Sequence, residues 1–326
     1  MEISLKKYGI DFEGSLIDAI RLPLNMIPEK KSGSSGKKIS EGRYGRVEEW
    51  IESEEYEKIS KRSDGNLLAE ACLQIAARNC LQVIGQESSI SEVKKILRSG
   101  QRVTFMMEPF LNVLYLQTAL QYLYEDRRMR GKTFDLWFLQ IFASICLLLG
   151  YLEENIGLNQ RDLKGDNILI SIRPKTSTHV IPLGDYEWTI TMEHEIKLVD
   201  FGLGCKGNNM NKPATVNVGP VYSAVDWCPK EGRDLYLLLC YFYAQPIFRE
   251  MVSTELLEMI ETWLSLQDKG LRVKEFLMRH GLERLSWIAF LVNNQKFDCD
   301  KCCPIKILEW ISTKYPHILK RCIHIK

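Results

Sequence analysis

The chain has 326 residues, enough for a large core, and its 45% apolar, 26% charged and 10% aromatic content is that of an ordinary soluble globular protein of one or two domains. Lysine plus arginine (43) almost balances aspartate plus glutamate (42), which argues against a nucleic acid or an anionic membrane surface as partner. A charged substrate must then be met by a local cluster.

The opening stretch MEISLKKYGIDFEG lacks the unbroken apolar core of a secretory signal. Ten cysteines, mostly in apolar surroundings (Cys72, Cys80, Cys146, Cys240), add to the expectation of a reducing, intracellular compartment, cytoplasmic or nuclear. Residues 1–38 read as an extension and linker, because Pro28 to Lys38, with EKKSGSSGKK, is polar and has no apolar periodicity. Ile39 to Arg62 reads as strand, tight turn, strand, turn, strand, with glycines at 42 and 45 and an acidic ESEE turn.

From Asn66 to about Val83, the residues Leu67, Leu68, Cys72, Ile75, Ala76 and Leu81 fall at helical spacing. Arg102 to Met107 is a short strand, and Leu114 to Tyr124 and Phe134 to Leu152 are helices. The longest apolar stretch, Trp137 to Leu152, is interrupted by Gln140, Ser144 and Gly150. It falls short of the roughly 20 residues of a bilayer span and is expected to be a buried helix. Asn167 to Ser171 and Ile196 to Val199 are short strands, joined by a long connection, RPKTSTHVIPLGDYEWTI, that holds a strand-like piece at Tyr186 to Ile190. From Asp234 nearly everything reads as helix. The fold class is α+β, a small sheet lobe ahead of a larger helical one.

Two segments gather charge at the edges of apolar runs: GLNQRDLKGDNILI, Gly157 to Ile170, and IKLVDFGLG, Ile196 to Gly204. Two carboxylates and an asparagine amide are hard oxygen ligands, the set Mg²⁺ prefers when it also holds phosphate oxygens. A metal-bound nucleotide is the economical explanation.

These residues resemble the eukaryotic-type protein kinase family. Gln160-Arg161-Asp162-Leu163-Lys164-Gly165-Asp166-Asn167 follows the catalytic-loop pattern H-R-D-L-x-x-x-N, and Asp200-Phe201-Gly202 is the D-F-G triplet. Ser40-Glu41-Gly42-Arg43-Tyr44-Gly45-Arg46-Val47 fits the glycine-rich loop with its first glycine replaced by Ser40. The likeness covers about residues 39 to 245. It implies a bilobal protein-kinase-like fold, with an N-lobe and hinge over 39–110 and a C-lobe over 111–326. The spacing from Lys58 through Gly65 to Glu70 looks like that of the vaccinia-related branch. The long insertion and the D-F-G-x-x-C pattern resemble divergent kinases of large DNA viruses.

The resemblance implies a serine/threonine protein kinase that uses ATP and Mg²⁺ on a protein substrate. Asp162 would be the base, Asp200 and Asn167 the Mg²⁺ ligands, and Lys164 the cation on the γ-phosphate. Lys58, held by Glu70, would grip the α and β phosphates, with Lys61 in reserve. Gly42, Tyr44, Gly45 and Val47 would cover the phosphates. Glu108, Pro109 and Phe110 would read the adenine, with Met106 or Met107 as gatekeeper, and Asp234 would brace the catalytic loop.

The sequence also departs from the pattern. Gln160 stands for histidine, Tyr56 occupies the small-residue place above adenine, and no A-P-E triplet precedes Asp234. A pseudokinase, a nucleotide-binding scaffold without transfer activity, is therefore the alternative. Arg161 would be a receptor for a phosphate on the activation segment, where Thr215, Tyr222 and Ser223 are candidates, or would pair with a nearby carboxylate. Cys299, Cys302, His317 and Cys322 approximate a zinc spacing, but the residues between read better as an amphipathic helix with Ile305, Leu308, Ile311 and Ile318 inward.

Overall fold

The computed structural model describes residues 1–30, 37–41, 45–50, 55–60, 67–209, 212–218, 227–266, 271–280 and 300–323. Order begins earlier than the linker-like composition implies. Strands β1 (Glu2–Ser4) and β2 (Glu13–Ser15) pair antiparallel and lead into α1 (Leu16–Ala19), whose first turn is capped by the Ser15 hydroxyl accepting from Asp18 N. Ile3, Leu5, Ile10, Leu16 and Ile27 are buried. Elements this short show no readable period, which is why the sequence hides them.

The small lobe is an antiparallel sheet. Strands β3 (Lys37–Glu41), β4 (Gly45–Trp50) and β5 (Glu55–Ser60) form the expected meander, followed by α2 (Leu67–Gln82). Strands β6 (Val93–Ser99) and β7 (Arg102–Met107) complete the order β3-β4-β5-β7-β6. The sequence reading lacks β6, since VKKILRS carries three cations among its apolar residues. An open edge on β6 would invite pairing. Residues 28–30 cover it: Lys30 N donates to Arg98 O and Arg98 N to Pro28 O, each at 2.8 Å. Helix α2 lies between β7 and the large lobe and is buried on nearly every face from Leu67 to Ala77, so its apolar stripe is broad.

In the large lobe, β8 (Val113–Tyr115) and α3 (Leu116–Glu125) precede α4 (Lys132–Ile156). Helix α4 is long and apolar enough to cross a bilayer, yet most of it is buried inside the fold. Its Phe134, Phe138 and Phe142 stack in series, and the first two meet Phe248 edge-on. Gly157 ends the helix at φ 64°, and a Cβ there would stand 2.1 Å from Gly207 O. Only glycine serves both needs.

Strand β9 (Leu158–Asn159) opens the charged loop, and β10 (Ile168–Ser171) closes it. The long insertion is a hairpin, β11 (Ser177–Leu183) with β12 (Tyr186–Met192), before β13 (Ile196–Leu198). Strand β10 lies between β13 and β8. Strands β14 (Cys205–Lys206) and β15 (Val216–Asn217) join β9 in a small sheet. Next come α5 (Arg233–Ala244), buried along its whole length, α6 (Pro246–Met251), α7 (Thr254–Trp263), α8 (Leu271–His280) and α9 (Pro304–Lys314). The last described element is not a helix. Strand β16 (Leu319–Ile323) returns to pair with β12, so the insertion and the C-terminus share one sheet.

The architecture is thus α+β and bilobal, with a small β-rich lobe ahead of a larger, mainly helical one. One cysteine reading changes. Cys205 and Cys228, expected as thiols, are joined in a disulfide. Cys302 is buried and donates to Trp263 O, while Cys322 is exposed on β16. No cluster of three or more histidine, cysteine or carboxylate side chains that could hold a metal ion occurs among the described residues, and Pro304–Lys314 is the helix the periodicity indicates. Cys299 lies outside the described residues.

Candidate active site

Lys58 points from β5 toward the cleft, because strand alternation sets it opposite Glu57. Its ammonium lies 2.5 Å from Glu70 Oε1 on α2 and 3.0 Å from Asp200 Oδ1. One cation thus joins a small-lobe strand, a small-lobe helix and the D-F-G segment of the large lobe. Burial would strip the proton from this lysine, but the Asp200 and Glu70 charges outweigh it and hold the amine protonated well above its ordinary range. Burial pushes Glu70 up, and Lys58 only partly offsets it. Burial would also raise Asp200, yet Lys58 and the Gly202 N–H hold it below the usual carboxylate value. Asp200 adopts φ 63°, the left-handed region, and its side chain is 47% exposed to the cleft.

A second cluster sits on the loop between β9 and β10. Lys164 Nζ makes a short contact with Asp162 Oδ2. Asn167 Nδ2 donates to Asp162 O at 2.8 Å and to Asp162 Oδ2 at 3.1 Å. Both bonds use the amide nitrogen, so the amide oxygen faces away from Asp162. Burial raises the pKa of Asp162, with Lys164 and Asn167 opposing and Asp200 reinforcing.

Backbone bonds tie the two segments together. Gln160, in the histidine place, donates through Nε2 to Val199 O at 2.9 Å and Asp200 O at 2.8 Å. Val199 N donates to Asn167 O at 3.1 Å. The glutamine therefore holds residues 199–200, just past β13, against the loop between β9 and β10, a role legible only in part from its amide. Beneath it, Asp234 on α5 accepts from Gln160 N at 2.7 Å and Arg161 N at 2.8 Å. Arg161 is buried and bonds the carbonyls of Leu203 (2.8 Å) and Gly204 (3.3 Å), so these bonds go to backbone rather than to a carboxylate.

At the hinge, Glu108 N donates to Glu92 O and Glu108 O accepts from Ser91 Oγ at 2.5 Å. Pro109 follows, and the Phe110 ring lies 5.5 Å below Lys197 Nζ. Of the two methionines, Met107 pairs with Tyr56 and shares the cleft face with Lys58. Met106 pairs with Glu57 and is buried on the other face. Gly45 opens β4, and Val47 pairs with Lys58. Gly42, Tyr44, Lys61, Gly65, Tyr222 and Ser223 lie outside the described residues.

The donor set fits a small hard cation: one half-exposed carboxylate, Asp200, and one amide oxygen, Asn167, on segments bonded to each other. Two protein donors leave most of the shell to phosphate oxygens and water. The sequence reading missed one charged pair nearby. Lys30 donates to both oxygens of Glu57, which is fully buried. The E-Y-E-K alternation places Glu57 opposite Lys58, which was the available signal.

No known family's sequence profile matches the chain, and no curated protein matches it. Among solved structures it is similar to the kinase domain of PF14_0431, at 16% identity over 83% of this chain and 84% of that one, with a TM-score of 0.36. It is also similar to the BubR1 kinase domain, at 17% identity over 52% of this chain and 46% of that one, with a TM-score of 0.37. Likenesses this distant carry no argument about activity. The site geometry stands by itself.

Proposed function

We propose that the chain is an ATP-dependent serine/threonine protein kinase, acting on protein hydroxyl groups. The observation that carries this reading is the single ammonium of Lys58 bonded to both Glu70 and Asp200, at 2.5 and 3.0 Å. Phosphoryl transfer demands positioning and neutralised charge rather than covalent chemistry from the protein. A fixed cation at the junction of two lobes supplies both.

Asp162 takes the proton from the substrate hydroxyl, and its burial keeps the carboxylate basic enough to do so. Lys164, already against Asp162, turns its charge to the transferred phosphoryl oxygens. Asn167 and Asp200 hold Mg²⁺, which when bound neutralises charge on the phosphate oxygens. Gln160 and Asp234 keep these groups in register through backbone bonds. In the family the sequence resembles, a lysine in the place of Lys164 goes with serine and threonine as acceptors.

Transfer of radiolabelled phosphate from ATP to casein or histone tests the reading. The parent should label protein. Asp162→Asn should lose about 10²–10⁴-fold in rate, the usual worth of a positioned base, and Asp200→Ala should be silent. A parent that binds nucleotide but labels nothing would be the scaffold alternative. Labelling of sugars or aminoglycosides in place of protein would overturn the substrate class.

A further inference from the structure

Two elements must keep a fixed separation for Lys58 to reach Glu70: β5, which carries the lysine, and α2, which carries the glutamate. The segment 1–30 touches both. Helix α1 packs on α2 with Leu16 and Ala19 buried. At the other end of the same segment, Lys30 Nζ donates to both Glu57 oxygens at 2.8 Å, and Glu57 is the residue before Lys58. Between these points the segment is fastened to β6. Arg98 bonds Ile27 O and Glu29 Oε2, each at 3.1 Å, beside the two backbone bonds to Pro28 and Lys30.

A fully buried carboxylate held by a cation is a costly way to gain stability, because desolvation cancels much of the attraction. Its advantage is placement: a bidentate contact fixes β5 more sharply than apolar packing would.

We propose that residues 1–30 are an intramolecular positioning element, in which Lys30 acting through Glu57, and α1 acting through α2, set the Lys58–Glu70 pair and so the grip on nucleotide. Lys30 touches no reacting atom; it is a positioning residue. The activity arm of its test rests on the kinase reading, and the labelling arm does not.

The test uses the full chain as parent, Lys30→Met, Lys30→Arg and the doubly neutral Lys30→Met/Glu57→Gln. Each is assayed well below its own unfolding temperature. The first readout is the rate at which an amine-selective acylating reagent modifies Lys58, followed by peptide mass spectrometry. Lys58 is protected while its ammonium is enclosed between Glu70 and Asp200, where its side chain is only 14% exposed to reagent. Lys30→Met and the double variant should label Lys58 at least about fivefold faster, the lower end of ordinary coupling between sites, with other lysines unchanged. Lys30→Arg should restore protection. The second readout is steady-state kinetics, where KM for MgATP should rise by a similar factor while kcat changes little.

Parental labelling of Lys58 in a folded Lys30→Met protein, even one of lowered Tm, overturns the proposal and leaves the segment a plain stabiliser. Should Lys30→Met not fold, the double variant carries no charge at either position and decides by the same comparison. If the parent transfers no phosphate yet Lys58 labelling responds to Lys30, the kinase reading fails and the positioning element stands.

Discussion

Replacing Asp234 by asparagine removes one of two acceptors on which the loop between β9 and β10 rests. In the parent, Oδ2 accepts from Gln160 N at 2.7 Å and Oδ1 from Arg161 N at 2.8 Å, and Asp234 is 1% exposed, so water cannot substitute. The asparagine keeps one carbonyl oxygen and turns an NH₂ toward the other N–H. A buried donor left facing a donor costs about 1–3 kcal/mol, and a bond to a charged acceptor is itself worth about 1.5–3 kcal/mol. Burial already pushes the Asp234 pKa up, so removing the charge returns part of this. The net expectation is a loss of about 2–3 kcal/mol.

Function should suffer more than stability. Arg161 is held at φ 63°, a left-handed conformation that costs a non-glycine residue about 1–3 kcal/mol and persists only while its surroundings enforce it. Once the loop relaxes, Asp162 moves with it. Urea unfolding should show the loss, and kcat should fall about 100-fold, the effect expected of a small misplacement of the reacting groups. KM for ATP should hold, since Asp234 does not touch Lys58 or Glu70. Stability within about 0.5 kcal/mol of the parent, together with an unchanged kcat, would refute the bracing role.

Five further outcomes follow from the structure. The acid limb of kcat/KM against pH should lie above the ordinary aspartate value of about 3.9, because burial raises Asp162 and only its ionised form accepts a proton. Lys164→Met removes a cation that lowers this pKa, so the limb should move to higher pH as the rate falls; a shift to lower pH contradicts the assignment. At Gly202 a Cβ would stand 2.9 Å from Asp200 Oδ1 and 3.3 Å from Glu70 Oε2. Both are side-chain ends that can swing, so Gly202→Ala should change stability by less than about 1 kcal/mol yet weaken binding of a fluorescent ATP analogue. Gln160→Leu removes the bonds to Val199 O and Asp200 O; kcat should drop without loss of folding, as judged by circular dichroism. The Cys205–Cys228 disulfide spans 23 residues, and Cys228→Ser should lower stability to urea by about 3 kcal/mol on a loop-closure basis.

Much of the site was readable because its chemistry is local. Asp162, Lys164 and Asn167 lie within six residues of one another, and their mutual bonds follow from a loop that short. For Lys58 and Glu70 the spacing through Gly65 suggested the pair only by resemblance, with Lys61 left open, and the contact between them is a finding of the structure. The first thirty residues were less readable, since three-residue strands and a one-turn helix give no period to detect. The β16 strand was hidden for another reason. LKRCI is mostly exposed, and it is a strand only because β12 offers it an edge.

By itself, then, the sequence marked candidate residues for the chemistry and the longer helices and strands around them, because turn residues and apolar spacing act over a few positions. The tertiary structure alone decided that Lys58 meets Asp200 across 142 positions, that Glu57 is buried against Lys30, and that Cys205 finds Cys228. A charge takes its partner, and its pKa, from whichever distant segments displace its water. That choice belongs to the packing of the whole chain.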